Sequence, residues 1–181
     1  LVNRALTPYL LEAVMLLDQG VDKTRIDQAA LDFGMPMGPV ELADQVGLDI
    51  CLHVAEVLRE SLDTPLPEVP SWLQEKVDRG DLGRKSGKGF YTWKKGKAQK
   101  NSGDDDSAGD PTGNAGKTDS KSLQDRLLLP MLNACVECHR NNVVASLDDL
   151  DAAMIFATGF APFRGGPMHY ARQRGVDDIV A

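Results

Sequence analysis

The feature that most constrains this chain is that it repeats itself. Residues 38–49, GPVELADQVGLD, align with residues 166–177, GPMHYARQRGVD, so that Gly, Pro, Ala, Gln, Gly and Asp recur in register. Upstream, NRALTPYLLEAV (3–14) aligns with DRLLLPMLNACV (125–136) through Arg4/Arg126, Leu6/Leu128, Pro8/Pro130, Leu10/Leu132 and Val14/Val136. Between these stretches, IDQAAL (26–31) aligns with LDAAMI (150–155), sharing Asp27/Asp151 and Ala29/Ala153. The order is kept and the spacers differ by a few residues, which reads as a duplicated helical unit.

Each unit reads as three helices. In the first, Leu6, Leu10, Ala13, Val14 and Leu17 fall on one helical face and form an apolar stripe. Pro8 and Pro130 each remove a hydrogen bond within that helix, freeing the carbonyl of Arg4 or Arg126. A second helix carries Ile26, Ala29, Ala30 and Phe33 and stops at Gly34. The third opens at Gly38-Pro39, with proline in the first turn and Glu41 against the positive end of the helix dipole. No strand–helix alternation is visible, so the expected fold is all-α: two tandem copies of a small helical unit.

Residues 94–121, rich in Gly, Ser, Asp, Asn and Lys, offer almost nothing to a core and read as a flexible linker. They separate a first domain, 1–93, from a second, diverged copy, 122–181. The second copy ends soon after its third helix begins and is expected to be truncated. The chain opens without methionine inside a periodic apolar segment, which reads as a domain of a longer polypeptide. The first block alone carries RGDLGRKSGKGFYTWKK (79–95), whose glycines precede Phe90-Tyr91-Thr92-Trp93. This reads as a tight turn that pins aromatic side chains onto the helices. It lacks both the spacing and the strand–helix context of a phosphate loop, although its lysines could still meet a phosphate-bearing ligand.

Composition narrows the function classes. A net charge of −7 argues against general affinity for nucleic acid or anionic membranes. No apolar run approaches the roughly 18 residues of a membrane span. Three cysteines at this length do not make a disulfide framework, which fits a reducing, cytoplasmic setting.

Together, LVNRALTPYLLEAVMLLDQG, MPMGPVELADQVGLD and GRKSGKGFY resemble, in order and spacing, the C-terminal domain of 3-hydroxyacyl-CoA dehydrogenases. The second copy after a polar linker is similar to the multifunctional fatty-acid oxidation proteins, in which this domain is duplicated. The resemblance implies a helical fold of the 6-phosphogluconate dehydrogenase C-terminal type. It also implies a preceding Rossmann domain that binds NAD, a 3-hydroxyacyl-CoA substrate, and partners that include an enoyl-CoA hydratase domain and a thiolase subunit. The reaction passes a hydride from C3 of the substrate to NAD, with a histidine oriented by a glutamate as general base. None of His53, His139 or His169 matches that histidine, so this chain alone is expected to be inactive.

One functional residue carries over by the resemblance. Asn3, in VNRALTPY, falls on the asparagine that helps position the substrate and the catalytic histidine, and an amide can donate to one oxygen while accepting elsewhere. Its counterpart in the second copy is Asp125, which would set a negative charge where a carbonyl should bind; that copy is therefore expected to be structural. Met37, Gly38 and Pro39 resemble the family segment near the acyl chain, though Gly-Pro at a helix start is also plain architecture. Arg4 could contact a phosphate or cap the kink at Pro8. Glu41 and Asp44 read as a solvated or capping face rather than as metal ligands.

Two other readings stand beside this one: a relative acting on a non-CoA hydroxy acid, and a non-catalytic helical module. The second is raised by Cys135-Val136-Glu137-Cys138-His139, which has the C-x-x-C-H spacing of covalent haem. In register with the first copy, Cys135 sits where Ala13 is and Cys138 and His139 replace Leu16 and Leu17, so Cys135 falls on the apolar stripe and is expected to be a small buried hydrophobe.

Overall fold

A computed structural model of the chain describes residues 1–61, 66–100, 119–175 and 179. Eight α-helices, one short 3-10 helix (Pro162–Arg164) and one β-hairpin account for its regular structure among these residues. The first unit contains α1 (Val2–Asp18), α2 (Lys23–Phe33) and α3 (Pro39–Val46). Two further helices, α4 (Leu48–Ser61) and α5 (Ser71–Asp78), lie in a stretch for which the repeat predicts nothing. The hairpin joins β1 (Thr92–Lys94) to β2 (Lys97–Gln99), and α6 (Ser120–Arg140), α7 (Leu147–Thr158) and α8 (Pro167–Arg174) complete the chain.

Local chemistry sets the helix ends. The Asp22 carboxylate accepts from the amides of Thr24 and Arg25 at the start of α2, and Gly34 closes that helix in the left-handed region at φ 113°. Asp119 caps α6 by accepting from Ser122 N, and Ser146 caps α7 by accepting from Asp149 N. The hairpin turn places Lys95 and Gly96 at φ 51° and 75°, the pair of positive angles that suits a two-residue turn between twisted strands. Residues 94–99 thus belong to a hairpin paired through Trp93 and Ala98, not to a linker. Composition alone could not separate lysine and glycine in a tight turn from lysine and glycine in a tether. The expectation of a flexible tether over 101–118 lies outside the described residues.

The longest helices, α1 and α6, pack against each other more extensively than any other pair. Their contact lies within a core drawn from both halves of the chain: Tyr9 and Leu16 of α1, Ile26 and Phe33 of α2, Leu127, Met131 and Cys135 of α6, and Leu150 and Met154 of α7. Each large apolar side chain removed from water here contributes about 1.5–3 kcal/mol. The stripe expected on α1 is only part of its buried surface. Leu6, Leu10 and Leu17 are half-buried, whereas Ala5, Tyr9, Ala13 and Leu16 are the residues sealed in the main core. Val14 turns instead to a second cluster with Ala43, Leu48 and Leu73. A helix packed on two sides needs more than one apolar stripe, and this one has it.

The Gly-Pro pairs at 38–39 and 166–167 perform matching tasks. The Asp27 carboxylate accepts from Val40 N (2.8 Å) and Glu41 N (3.2 Å) at the start of α3. Asp151 accepts from Met168 N (2.7 Å) and His169 N (2.9 Å) at the start of α8. A Cβ on Gly38 would lie 2.2 Å from the Asp27 Cγ, and one on Gly166 would lie 2.4 Å from the Asp151 Cβ. Glycine is required because a carboxylate from a neighbouring helix occupies the space of its side chain.

The C-x-x-C-H pattern lies within α6. Cys135 and Cys138 are buried, and the His139 Nδ1 faces the Val144 carbonyl oxygen at 3.4 Å. Burial, together with the nearby Cys138 and Asp151, pushes the Cys135 thiol up to about 12. Both thiols serve as core side chains here.

Candidate functional site

Asn3 is exposed on the first turn of α1, at the mouth of an apolar cavity of about 150 Å³. The cavity follows α1 inward past Thr7, Leu11 and Val14, all buried, and is closed on its other sides by α4, α5 and the Phe90 ring. Val46 and Ile50, both exposed in large part, also line it. Asn3 and Thr7 are four residues apart and so share a helix face. Cys51 also lines the cavity; burial, with Asp49 and Asp44 nearby, pushes its thiol up to about 12, so it stays a neutral part of the wall.

The glycine-rich segment shapes this cavity through one carboxylate. Asp44, on α3, is 0% exposed. It accepts from Phe90 N (2.8 Å), Tyr91 N (2.8 Å) and Trp93 Nε1 (2.9 Å). Its own carbonyl accepts from Arg84 N at 2.9 Å. A Cβ at Gly83 would meet the Asp44 backbone oxygen at 2.3 Å, and a Cβ at Gly89 would meet its Oδ1 at 2.2 Å. The loop is glycine-rich because it wraps closely around this residue. Lys23 and Lys76 add donors to the carbonyls of Phe90 (3.0 Å) and Gly89 (3.3 Å). The clasp holds Phe90 against the cavity, where its ring meets Trp72 edge-on at a centroid distance of 6.2 Å.

This overturns the reading of Asp44 as a solvated residue. Burial pushes its carboxyl above the usual range, against the pull of the Trp93, Tyr91 and Phe90 donors and of Lys76. Its partner in that reading, Glu41, is half-buried and pairs with Lys100 at 2.8 Å. Two lysines of the loop are also engaged: Lys85 with Asp49 at 2.6 Å and Lys88 with Asp81 at 3.8 Å. Spacing on a helix cannot distinguish a solvated carboxylate from a clasped one. The glycines forty residues downstream were the available signal.

A second buried carboxylate stands nearby. Asp27 takes the Tyr91 hydroxyl at 2.8 Å in addition to the two α3 amides. Burial raises it to about 6, opposed by the Tyr91, Val40 and Glu41 hydrogen bonds and by Lys100. The Tyr9 hydroxyl is buried with no hydrogen-bond partner among the described residues.

Met37, Gly38 and Pro39 do not line the cavity beneath Asn3. Gly38 and Pro39 are buried at the α3 start, and the Met37 sulfur accepts from Gln45 Nε2 at 3.3 Å. In the second half the negative charge expected at Asp125 is paired. Arg174 grips Asp125 in a two-pronged pair, with Nη2 to Oδ2 at 2.9 Å. Arg126 binds Glu12 and Gln19, linking α6 to α1. Among the described residues no group of three His, Cys, Asp or Glu is placed to hold a metal ion, and no helix is long and apolar enough to cross a membrane.

A helical domain with an amide at the mouth of an apolar cavity has clear relatives. The chain matches the family described as 3-hydroxyacyl-CoA dehydrogenase, C-terminal domain, over residues 1–93. It belongs to that family. It is 39% identical to the fatty acid oxidation complex subunit alpha of Psychrobacter sp. (strain PRwf-1) and 38% identical to that of Acinetobacter baumannii (strain AYE). Both matches cover 100% of this chain and 26% of the relative, so the chain spans about a quarter of their length. The fold is also similar to that of 3-hydroxybutyryl-CoA dehydrogenase from Escherichia coli K12, at a TM-score of 0.69 and 24% identity, covering 98% of this chain and 53% of that one.

The described residues include no strand, glycine turn and helix in the sequence that receives a dinucleotide; the strands present form a single antiparallel hairpin. They do not fit NAD, and no chemical step is placed on this chain through it.

Proposed function

We propose that this chain forms one wall of the substrate site in an NAD-dependent 3-hydroxyacyl-CoA dehydrogenase of fatty-acid β-oxidation. The observation that carries this reading is the pairing of Asn3 with the cavity behind it. The amide orients the oxygens at the reacting end of the substrate, and the apolar wall receives the acyl chain. NAD and the His–Glu pair belong to other parts of the intact polypeptide, and residues 1–181 alone do not oxidise the substrate. The names of the relatives, alpha subunits of a fatty acid oxidation complex, support a place in a complex with other subunits, and the hydratase and thiolase partners rest on the resemblance alone. Three free thiols support a cytoplasmic setting.

The reading of 122–181 as a second copy of the unit is supported by the paired clasps of Asp27 on α3 and Asp151 on α8. On this reading α1 against α6 is the contact between copies, and the second copy is structural.

The alternative substrate, a small non-CoA hydroxy acid, is disfavoured by the same cavity. Such a substrate would leave apolar space of about 150 Å³ unfilled. The test is NADH formation by the intact polypeptide with 3-hydroxyacyl-CoA and with free 3-hydroxy acids. Asn3→Ala is expected to lower kcat/KM for the thioester about 100-fold, the scale of losing one donor at a reacting oxygen. Normal kinetics in that variant would remove Asn3 from the site, and preference for the free acid would overturn the substrate class.

A further inference from the structure

Thr7 is the one cavity-lining residue whose chemistry the acyl-chain reading does not use. It is 6% exposed, one turn inward from Asn3 on the same face of α1, and it faces a wall made of Leu, Val, Ala and Phe side chains. Threonine on a helix commonly returns its hydroxyl to the carbonyl one turn back, as Thr158 does to Met154 at 2.6 Å. The Thr7 hydroxyl makes no such bond, nor any other among the described residues. Unlike the Tyr9 hydroxyl it is not sealed off, so it opens onto the cavity it lines, where a ligand can take the hydrogen bond that the protein does not supply. The aligned position on α6 holds Leu129, so a helix of this kind accepts an alkyl side chain there.

We propose that Thr7 is a specificity-determining residue that hydrogen-bonds an uncharged oxygen carried on the acyl chain of the substrate. The inference rests on the reading of this cavity as the acyl site. The distance sets where that oxygen lies. One helical turn, about 5.4 Å, corresponds to about four or five bonds of an extended carbon chain. With the C3 oxygen at Asn3, the Thr7 hydroxyl meets a substituent near C7. The volume agrees: a cavity of about 150 Å³ admits about six carbons, which suits a chain of eight or nine. A carboxylate at that depth is excluded, since no cation lines the cavity to pair with it. The ligand class is therefore a medium-chain 3-hydroxyacyl thioester bearing a neutral hydroxyl or carbonyl near C7.

The test compares 3-hydroxyoctanoyl-CoA with 3,7-dihydroxyoctanoyl-CoA in the intact polypeptide, as wild type, Thr7→Val and Thr7→Ser. Thr7→Val is expected to lower kcat/KM for the dihydroxy substrate about tenfold relative to that for the plain chain. Thr7→Ser, which keeps the hydroxyl, is expected to retain most of the dihydroxy activity. An unchanged midpoint of chemical denaturation shows that the variants are folded. An equal change for both substrates in Thr7→Val, or no change for either, overturns the role of Thr7 while leaving the acyl site standing. Failure of the wild type to oxidise the plain chain overturns both.

Discussion

The residue on which the most structure converges is Asp44, and its removal should be costly in a calculable way. Asp44→Ala deletes the acceptor of two backbone amides and one indole N–H, each at 2.8–2.9 Å and facing a site with no water access. Hydrogen bonds to a charged acceptor contribute about 1.5–3 kcal/mol each, so the three together approach about 5–9 kcal/mol. Against this stands the desolvation of the carboxylate itself, visible in the upward shift of its pKa, which the alanine variant recovers. The balance for breaking a buried charged contact is about 3–5 kcal/mol of destabilisation. Asp44→Asn separates acceptor chemistry from volume. The amide has the same shape but presents one NH₂ group to donors, so one of the three N–H groups loses its partner and meets another donor. It should cost at least half as much as alanine. The direct measurement is hydrogen exchange by mass spectrometry on the peptide spanning 83–93 in the intact polypeptide. Phe90 and Tyr91 amides should exchange hundreds of times faster in Asp44→Ala and tens of times faster or more in Asp44→Asn, with limited proteolysis opening the same loop. If Asp44→Asn exchanges within a few-fold of wild type, the clasp is held by packing and glycine geometry, and the hydrogen-bond account is wrong.

Three further outcomes follow from the same geometry. Gly38→Ala and Gly166→Ala should each destabilise by about 3 kcal/mol or more, measured by chemical denaturation, because each Cβ would overlap an aspartate that caps the next helix. Tyr9→Phe should hold or raise stability by about 1 kcal/mol, since it removes a buried hydroxyl that has no partner among the described residues. For Asp27 the folded value of about 6 lies above the ordinary 3.8, so the stabilisation its proton provides is complete below about pH 4 and is lost as pH rises through 6. Between pH 4 and 7 wild type should lose about 2 kcal/mol relative to Asp27→Asn, read from parallel denaturation curves.

The helices built on periodicity and punctuation were legible: Gly38-Pro39, Gly34 and Asp27/Asp151 mark elements that the structure places where the repeat put them. What was not legible depends on partners distant in sequence. Asp44 shows three residues of helix context and nothing of Phe90, Tyr91 or Trp93, which lie more than forty positions away. The same holds for α4 and α5, which lie almost wholly outside the stretches that align. The cavity illustrates the limit most clearly. Asn3 could be found by pattern, but the wall behind it is assembled from α1, α3, α4, α5 and Phe90. No local window contains that set.

On the proposal that the two halves are copies of one unit, their register also accounts for the different character of their recesses. Asn3 and Val46 line the cavity of the first unit; the aligned residues of the second are Asp125 and Arg174. Neither charged residue could have replaced its counterpart alone at low cost. An aspartate without Arg174 would face a half-buried site unpaired, and an arginine whose side chain is 12% exposed would be stranded without Asp125. Together they close on each other, and the polar recess around them is lined by Lys121, Gln124 and Gln173 rather than by aliphatic side chains. On that proposal the Asp–helix clasp stays in both units because it holds α3 and α8 in place, whereas the amide-and-apolar pair stays only in the first. On this reading, divergence acted on the two positions that define the ligand and spared the positions that define the fold, which is why the scaffold of the second unit is so readable in sequence while its site is not.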